Sequence, residues 1–150
     1  MSADGRIMKV RDVMTRDPIT VEAETAMGHV KALMKEASIR HVPVVDDKGL
    51  LGVVSDRDLS FIHGIPGVFE GVKPEDVEAV MEAPVKRVMK SRFLVERDVE
   101  TVQPDTMLKK AIDRLLVNKV GTMPVVDEDG EVVGVLSVVD VMRWVSDDVL

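Results

Sequence analysis

The chain says nearly everything twice. Pro43-Val44-Val45-Asp46-Asp47-Lys48-Gly49 returns as Pro124-Val125-Val126-Asp127-Glu128-Asp129-Gly130, an offset of 81 that also carries Thr20-Val21 onto Thr101-Val102 and Thr25 onto Thr106. One added residue moves the offset to 82, so that Gly52-Val53-Val54-Ser55 meets Gly134-Val135-Leu136-Ser137 and Asp58 meets Asp140. Upstream, Val10-Arg11-Asp12-Val13-Met14 recurs as Val85-Lys86-Arg87-Val88-Met89. An internal duplication constrains the fold more than any single motif, because one supersecondary unit must serve both halves.

Each copy has the same grammar. A short extended piece, Ile19-Thr20-Val21, leads to a helix opened by Glu24-Thr25. Its apolar positions Met27, Val30, Leu33, Met34 and Ala37 fall at three- and four-residue spacing. The second copy repeats this with Asp105-Thr106 and Leu108, Ala111, Ile112, Leu115 and Leu116. A β-branched strand follows, Val42-Pro43-Val44-Val45 or Met123-Pro124-Val125-Val126. A polar turn with Gly then reverses the chain into Leu50–Val54 or Val132–Leu136, and a second helix is expected from Ser55 or Ser137. The unit is β-α-β-β-α, an α/β (α+β) fold. Strands apolar on both faces require cover on both.

The pattern divides the chain into a first motif at 8–61, a linker at 62–84 and a second motif at 85–146. Gly64, Pro66, Gly67 and Gly71 break the linker, and Pro74-Glu75-Asp76 starts a short helix bearing Val77, Val80 and Met81. A second excess lies between Met89 and Thr101, where eleven residues stand in place of the five between Met14 and Thr20.

Composition removes several kinds of chemistry. Twenty Lys+Arg against twenty-seven Asp+Glu leave a net charge of −7, unsuited to a polyanion. Aromatics at 3% argue against base stacking, so no nucleic-acid partner is expected. The 150 residues contain no cysteine, hence no disulfide, thiolate metal site or thiol nucleophile, which suits a reducing cytoplasm. No apolar run approaches the roughly 18 residues of a membrane span, and Met1–Arg6 lacks a signal-peptide pattern, so a cytoplasmic protein is expected. His29, His41 and His63 have no paired ligand spacing, and no metal site is expected. Nothing supplies a nucleophile with its base, and no phosphate-loop or dinucleotide signature occurs.

The informative pattern is Ser-x-x-Asp, at Ser55 to Asp58 and at Ser137 to Asp140, where a strand runs into a helix. As pure architecture it is a capping box, contributing about 1 kcal/mol. As a site, the helix start offers free N–H groups to a phosphate, and the carboxylate one turn on can accept both hydroxyls of a ribose. The pattern alone leaves both readings open.

The ordered set Val10-Arg11-Asp12-Val13-Met14-Thr15, Arg40-His41-Val42-Pro43-Val44-Val45-Asp46 and Gly-x-x-Ser-x-x-Asp, the last in both copies, resembles a pair of CBS domains, the regulatory module named after cystathionine β-synthase. The resemblance runs from about Val10 to Arg143. It implies two motifs packed sheet to sheet as one pseudo-two-fold module, commonly paired into a disc-like homodimer. It also implies clefts that bind AMP, ADP, ATP or S-adenosylmethionine, regulation of an unknown protein, and no catalysis or catalytic cofactor. By position, Asp58 and Asp140 match the family's ribose acid, and Ser55 and Ser137 its hydroxyl near the phosphate. Thr20-Val21 and Thr101-Val102 match the strand lining the adenine pocket, where Pro43, Met123 and Pro124 would also pack, since aromatics are scarce. Arg40, His41 and Arg57 match cations that reach phosphates. The second copy departs here, with Gly121-Thr122 and Val138-Val139 in place of Arg40-His41 and Asp56-Arg57, which suits a less charged ligand or none. Asp56 would partly repel a phosphate. Lys86, Arg87, Lys90, Arg92 and Arg97 make a basic run, read as a solvated face or a contact for a phosphate tail or an acidic partner. The alternative for the whole chain is a scaffold of the same fold without ligand.

Overall fold

A computed structural model describes residues 7–63, 74–88 and 100–150. The chain forms two compact units. The first-copy unit holds the described residues of Ile19–Asp47 and Leu51–Val99; the second-copy unit holds those of Met1–Pro18, Lys48–Leu50 and Glu100–Leu150.

In the first-copy unit the sheet order is β2 (Val21–Glu22), β3 (His41–Asp46), β4 (Gly49–Ser55). β2 runs parallel to β3, with Val21 opposite Val44. Between them stands α2 (Met27–Ala37), whose buried Met27, Val30 and Met34 recur at three and four residues, as the spacing predicts. The helix begins later than the sequence suggests. Thr25 does not cap it; its Oγ1 accepts the Glu22 N–H at 3.1 Å and closes the turn ahead of it. Thr106 does the same for Gln103. The linker helix α3 (Val77–Glu82) lies against α2, close enough that a Cβ on Gly28 would stand 3.1 Å from Met81 Cε. The second helix expected from Ser55 is instead a 3₁₀ helix, Arg57–His63. The tighter coil suits a segment this short.

The second-copy unit has sheet order β1 (Thr15–Arg16), β6 (Val132–Ser137), β5 (Thr122–Val126), antiparallel throughout, with Val102 bridging Val125 in parallel. Its helices are α4 (Leu108–Asn118) and α5 (Val138–Trp144). Gly49 and Gly130 turn the two hairpins at positive φ, +119° and +86°. Ser38 and Lys119, also equivalent in the repeat, end α2 and α4 in the left-handed conformation.

The lead-in segments are exchanged. Val10, in α1 (Val10–Val13), is buried in the core with Val102, Leu108, Ala111, Leu115, Met123, Val125 and Leu136. Val85 and Val88, which precede the second copy in sequence, are buried with Val30, Val42, Val44, Val54 and Leu59 of the first. The docking is identical in both. Val10 N–H donates to Thr106 O at 2.9 Å, and Arg11 N–H to Pro104 O at 3.0 Å. Val85 N–H donates to Thr25 O at 2.8 Å, and Lys86 N–H to Ala23 O at 3.0 Å. Arg11 pairs with Asp105 and Lys86 with Glu24. Of the basic run, Lys86 is thus committed to an ion pair, while Lys90, Arg92 and Arg97 lie outside the described residues.

Candidate functional site

Each β-hairpin delivers its Ser-x-x-Asp pair in the same geometry. Asp58 N–H donates to Ser55 Oγ at 3.1 Å, and Ser55 N–H returns a bond to Asp58 Oδ2 at 2.9 Å. Asp140 N–H donates to Ser137 Oγ at 3.0 Å, and Ser137 N–H to Asp140 Oδ2 at 2.9 Å. The capping box is therefore formed in both copies. Because Oδ2 is the atom committed to the backbone, each carboxylate is held in one orientation. Fixed acceptors of this kind suit recognition of a hydroxyl pair.

A second backbone bond brings the neighbouring strand start alongside. Asp56 N–H donates to Arg40 O at 2.7 Å, and its counterpart Val138 N–H donates to Gly121 O at 3.0 Å. In the first-copy unit this gathers Arg40, His41, Ser55, Arg57 and Asp58 at one end of the sheet, with Arg40 and Arg57 exposed and His41 half-buried. In the second-copy unit the same arrangement gathers Gly121, Thr122, Ser137 and Asp140, with Thr122 opposite Ser137. The expected adenine-lining side chains stand deeper. Val21, Val102 and Met123 belong to the hydrophobic cores, and Pro43 and Pro124 are buried beside them. Thr20 is exposed and Thr101 half-buried, each just before its strand contact.

Burial lowers the His41 pKa below its ordinary 6.5; Asp58 opposes this, Arg40 adds to it, and Asp56 opposes it again. His41 is accordingly neutral at pH 7. An unfolded chain takes up this proton as the pH falls through about 6.5, while folded His41 resists it to lower pH. The stability involved is present above that window and lost on acidification through it. The expected result is a urea midpoint that falls between about pH 7 and about pH 5, with His41→Gln flattening part of the fall. An unchanged slope in that variant would contradict the burial of His41.

Two residues at these junctions escape the sequence reading. Lys31, on α2, faces Asp56: burial lowers its pKa from 10.5 and the Asp56 charge opposes the shift. Its repeat counterpart is Ile112, so a charge-for-apolar comparison at offset 81 would have marked it beside Arg40/Gly121 and His41/Thr122. Thr15 is the other; its hydroxyl donates to Asp140 Oδ1 at 2.9 Å. It stands in the Val10–Thr15 motif, but nothing local marks its pairing with Asp140, because 125 residues separate the partners. Among the described residues no cluster of three or more His, Asp or Glu could hold a metal ion, and no helix is long and apolar enough to cross a membrane.

Two sheet-and-helix units built from one repeated motif, each ending a hairpin on a locked Ser–Asp pair, define a tandem two-motif module. The CBS domain family matches residues 10–62 and 85–147, and the chain belongs to that family. Its structure resembles that of the AcuB protein of Vibrio cholerae, with 32% identity and a TM-score of 0.74 over 95% of this chain and 93% of that one. It also resembles CBSX2 in complex with AMP, at 28% identity and TM-score 0.68 over 90% and 93% of the two chains. The protein MJ1225 of Methanocaldococcus jannaschii is 27% identical over 135 residues, 90% of this chain and 46% of that protein. The chain spans less than half the length of the curated relatives it matches.

Proposed function

We propose that this chain is a regulatory module that binds an adenosine-containing ligand, AMP, ADP, ATP or S-adenosylmethionine, through Asp58 and Asp140. The observation that carries the reading is the first-copy junction: a carboxylate held by the Ser55 backbone, with Arg40, His41 and Arg57 gathered beside it. A ribose hydroxyl donor and an anionic phosphate are the complement of that arrangement. The AMP complex of CBSX2 supports the same ligand class. Ligand binding regulates by shifting the population toward the arrangement that binds better, and the regulated protein acts on that shift in the cytoplasm.

The chain is also proposed to pair with a second copy. Val138, Val139 and Met142 are 46%, 62% and 61% exposed on α5, an apolar surface that self-association would cover. Sedimentation equilibrium reads this directly; a monomer across the working concentration range would contradict it. A dimer that ignores every ligand would instead favour the scaffold reading. A thermal-shift panel of adenosine, AMP, ADP, ATP and S-adenosylmethionine separates the two. The expected result is an upward shift with at least one nucleotide that saturates with concentration. No shift with any of them would contradict the ligand reading.

A further inference from the structure

Asp140 is the only charged side chain buried among the described residues, at 8% exposure, and both its carboxylate oxygens already have donors. Oδ2 accepts the Ser137 N–H at 2.9 Å, and Oδ1 accepts the Thr15 hydroxyl at 2.9 Å. The first bond is local and belongs to the cap. The second comes from the N-terminal arm. Thr15 itself is exposed, so packing does not hold it there.

Thr15 opens β1, a two-residue strand paired to β6 only through Thr15 opposite Val135 and Arg16 opposite Gly134. The arm is anchored further back, by the Val10 and Arg11 backbone bonds and by the Arg11–Asp105 pair. A two-residue strand behind a firm anchor can detach without unfolding the unit. Its hydroxyl and a ribose hydroxyl present the same donor to the same acceptor.

We propose that Thr15 is a built-in competitor at the second ribose acid: a ribose hydroxyl replaces it on Asp140 Oδ1, and the exchange releases β1 from β6. The inference rests on the ligand reading of Asp140 given above. It adds a residue to that site and an output to its occupancy. A ligand binds the second copy with its affinity reduced by the fraction of time Thr15 occupies the carboxylate. Filling the site loosens residues 15–16 while the anchor at Val10 and Arg11 stays docked.

The test uses AMP as probe on the full chain. Deuterium exchange at Arg16 and Val135 in the unaltered protein should accelerate at saturating AMP, a measurement that needs no variant. AMP binding is then compared in Asp58→Ala and in Asp58→Ala combined with Thr15→Val or Thr15→Ser, so that the second acid is read alone. Trp144, the only tryptophan, lies one turn beyond Asp140 and reports on it by fluorescence. Thr15→Val should tighten AMP binding by about fivefold or more, and Thr15→Ser should leave it near the parent value. Equal or weaker binding by Thr15→Val, or exchange at β1 that AMP leaves unchanged or slows, would overturn the proposal while the ligand reading stands. Absence of AMP binding in the unaltered chain would remove both.

Discussion

Asp58→Ala should weaken AMP binding by about tenfold or more while lowering folding stability by only about 1 kcal/mol. The two effects have different sources. Loss of the carboxylate removes the proposed acceptor of the ribose hydroxyls, and hydrogen bonds to a charged partner contribute about 1.5–3 kcal/mol each. The fold loses one half of a reciprocal cap, the Ser55 N–H to Asp58 Oδ2 bond at 2.9 Å, a change of the size seen for other cap deletions. Asp58→Asn separates them further, since an amide oxygen can still accept from Ser55 but carries no charge. Calorimetry reads the affinity and urea unfolding the stability. Unchanged AMP affinity in both Asp58→Ala and Asp140→Ala would sink the assignment of these acids to the ribose.

Gly134→Val should be the most damaging single substitution of the second-copy unit away from its core. Gly134 is buried in β6 opposite Arg16, and a Cβ there would stand 2.8 Å from the Thr15 carbonyl oxygen and 2.8 Å from Met14 Sδ. The methionine can move, but the carbonyl is backbone. Relief therefore requires β1 to shift from β6, at a cost of about 1–3 kcal/mol, the range of overpacked sites. The urea midpoint should fall with little change in slope. A valine tolerated within about 0.5 kcal/mol would contradict the close approach of β1 to β6.

Much of this architecture is legible in the chain. The repeat predicts two equivalent units, the three- and four-residue spacing of Met27, Val30 and Met34 predicts the buried face of α2, and both Ser-x-x-Asp pairs form the caps their spacing implies. What is not legible follows from the repeat itself. Val10–Met14 and Val85–Met89 carry the same pattern, and so do the turns at Thr106 and Thr25 that receive them, so nothing local says which arm docks where. Chain geometry decides it, and each arm packs in the unit of the other copy. Thr15 becomes a neighbour of Asp140 only through that exchange. Lys31 is inconspicuous within its own copy: on a helix with a half-exposed flank a lysine is the expected residue, and only comparison with Ile112 sets it apart.

The divergence between copies bears most directly on function. At five equivalent positions the first copy carries Lys31, Arg40, His41, Asp56 and Arg57 where the second carries Ile112, Gly121, Thr122, Val138 and Val139. Both keep the locked Ser–Asp pair. On the proposed reading of Asp58 and Asp140 as ribose acids, unequal charge around them favours phosphorylated ligands at the first junction. The measurement that tests this account most directly is a calorimetric titration of the unaltered chain with AMP and, separately, with adenosine. The account predicts saturable binding of AMP, stronger than that of adenosine and weakened by Arg57→Ala. Equal affinities for the two, or no heat from either, would contradict it.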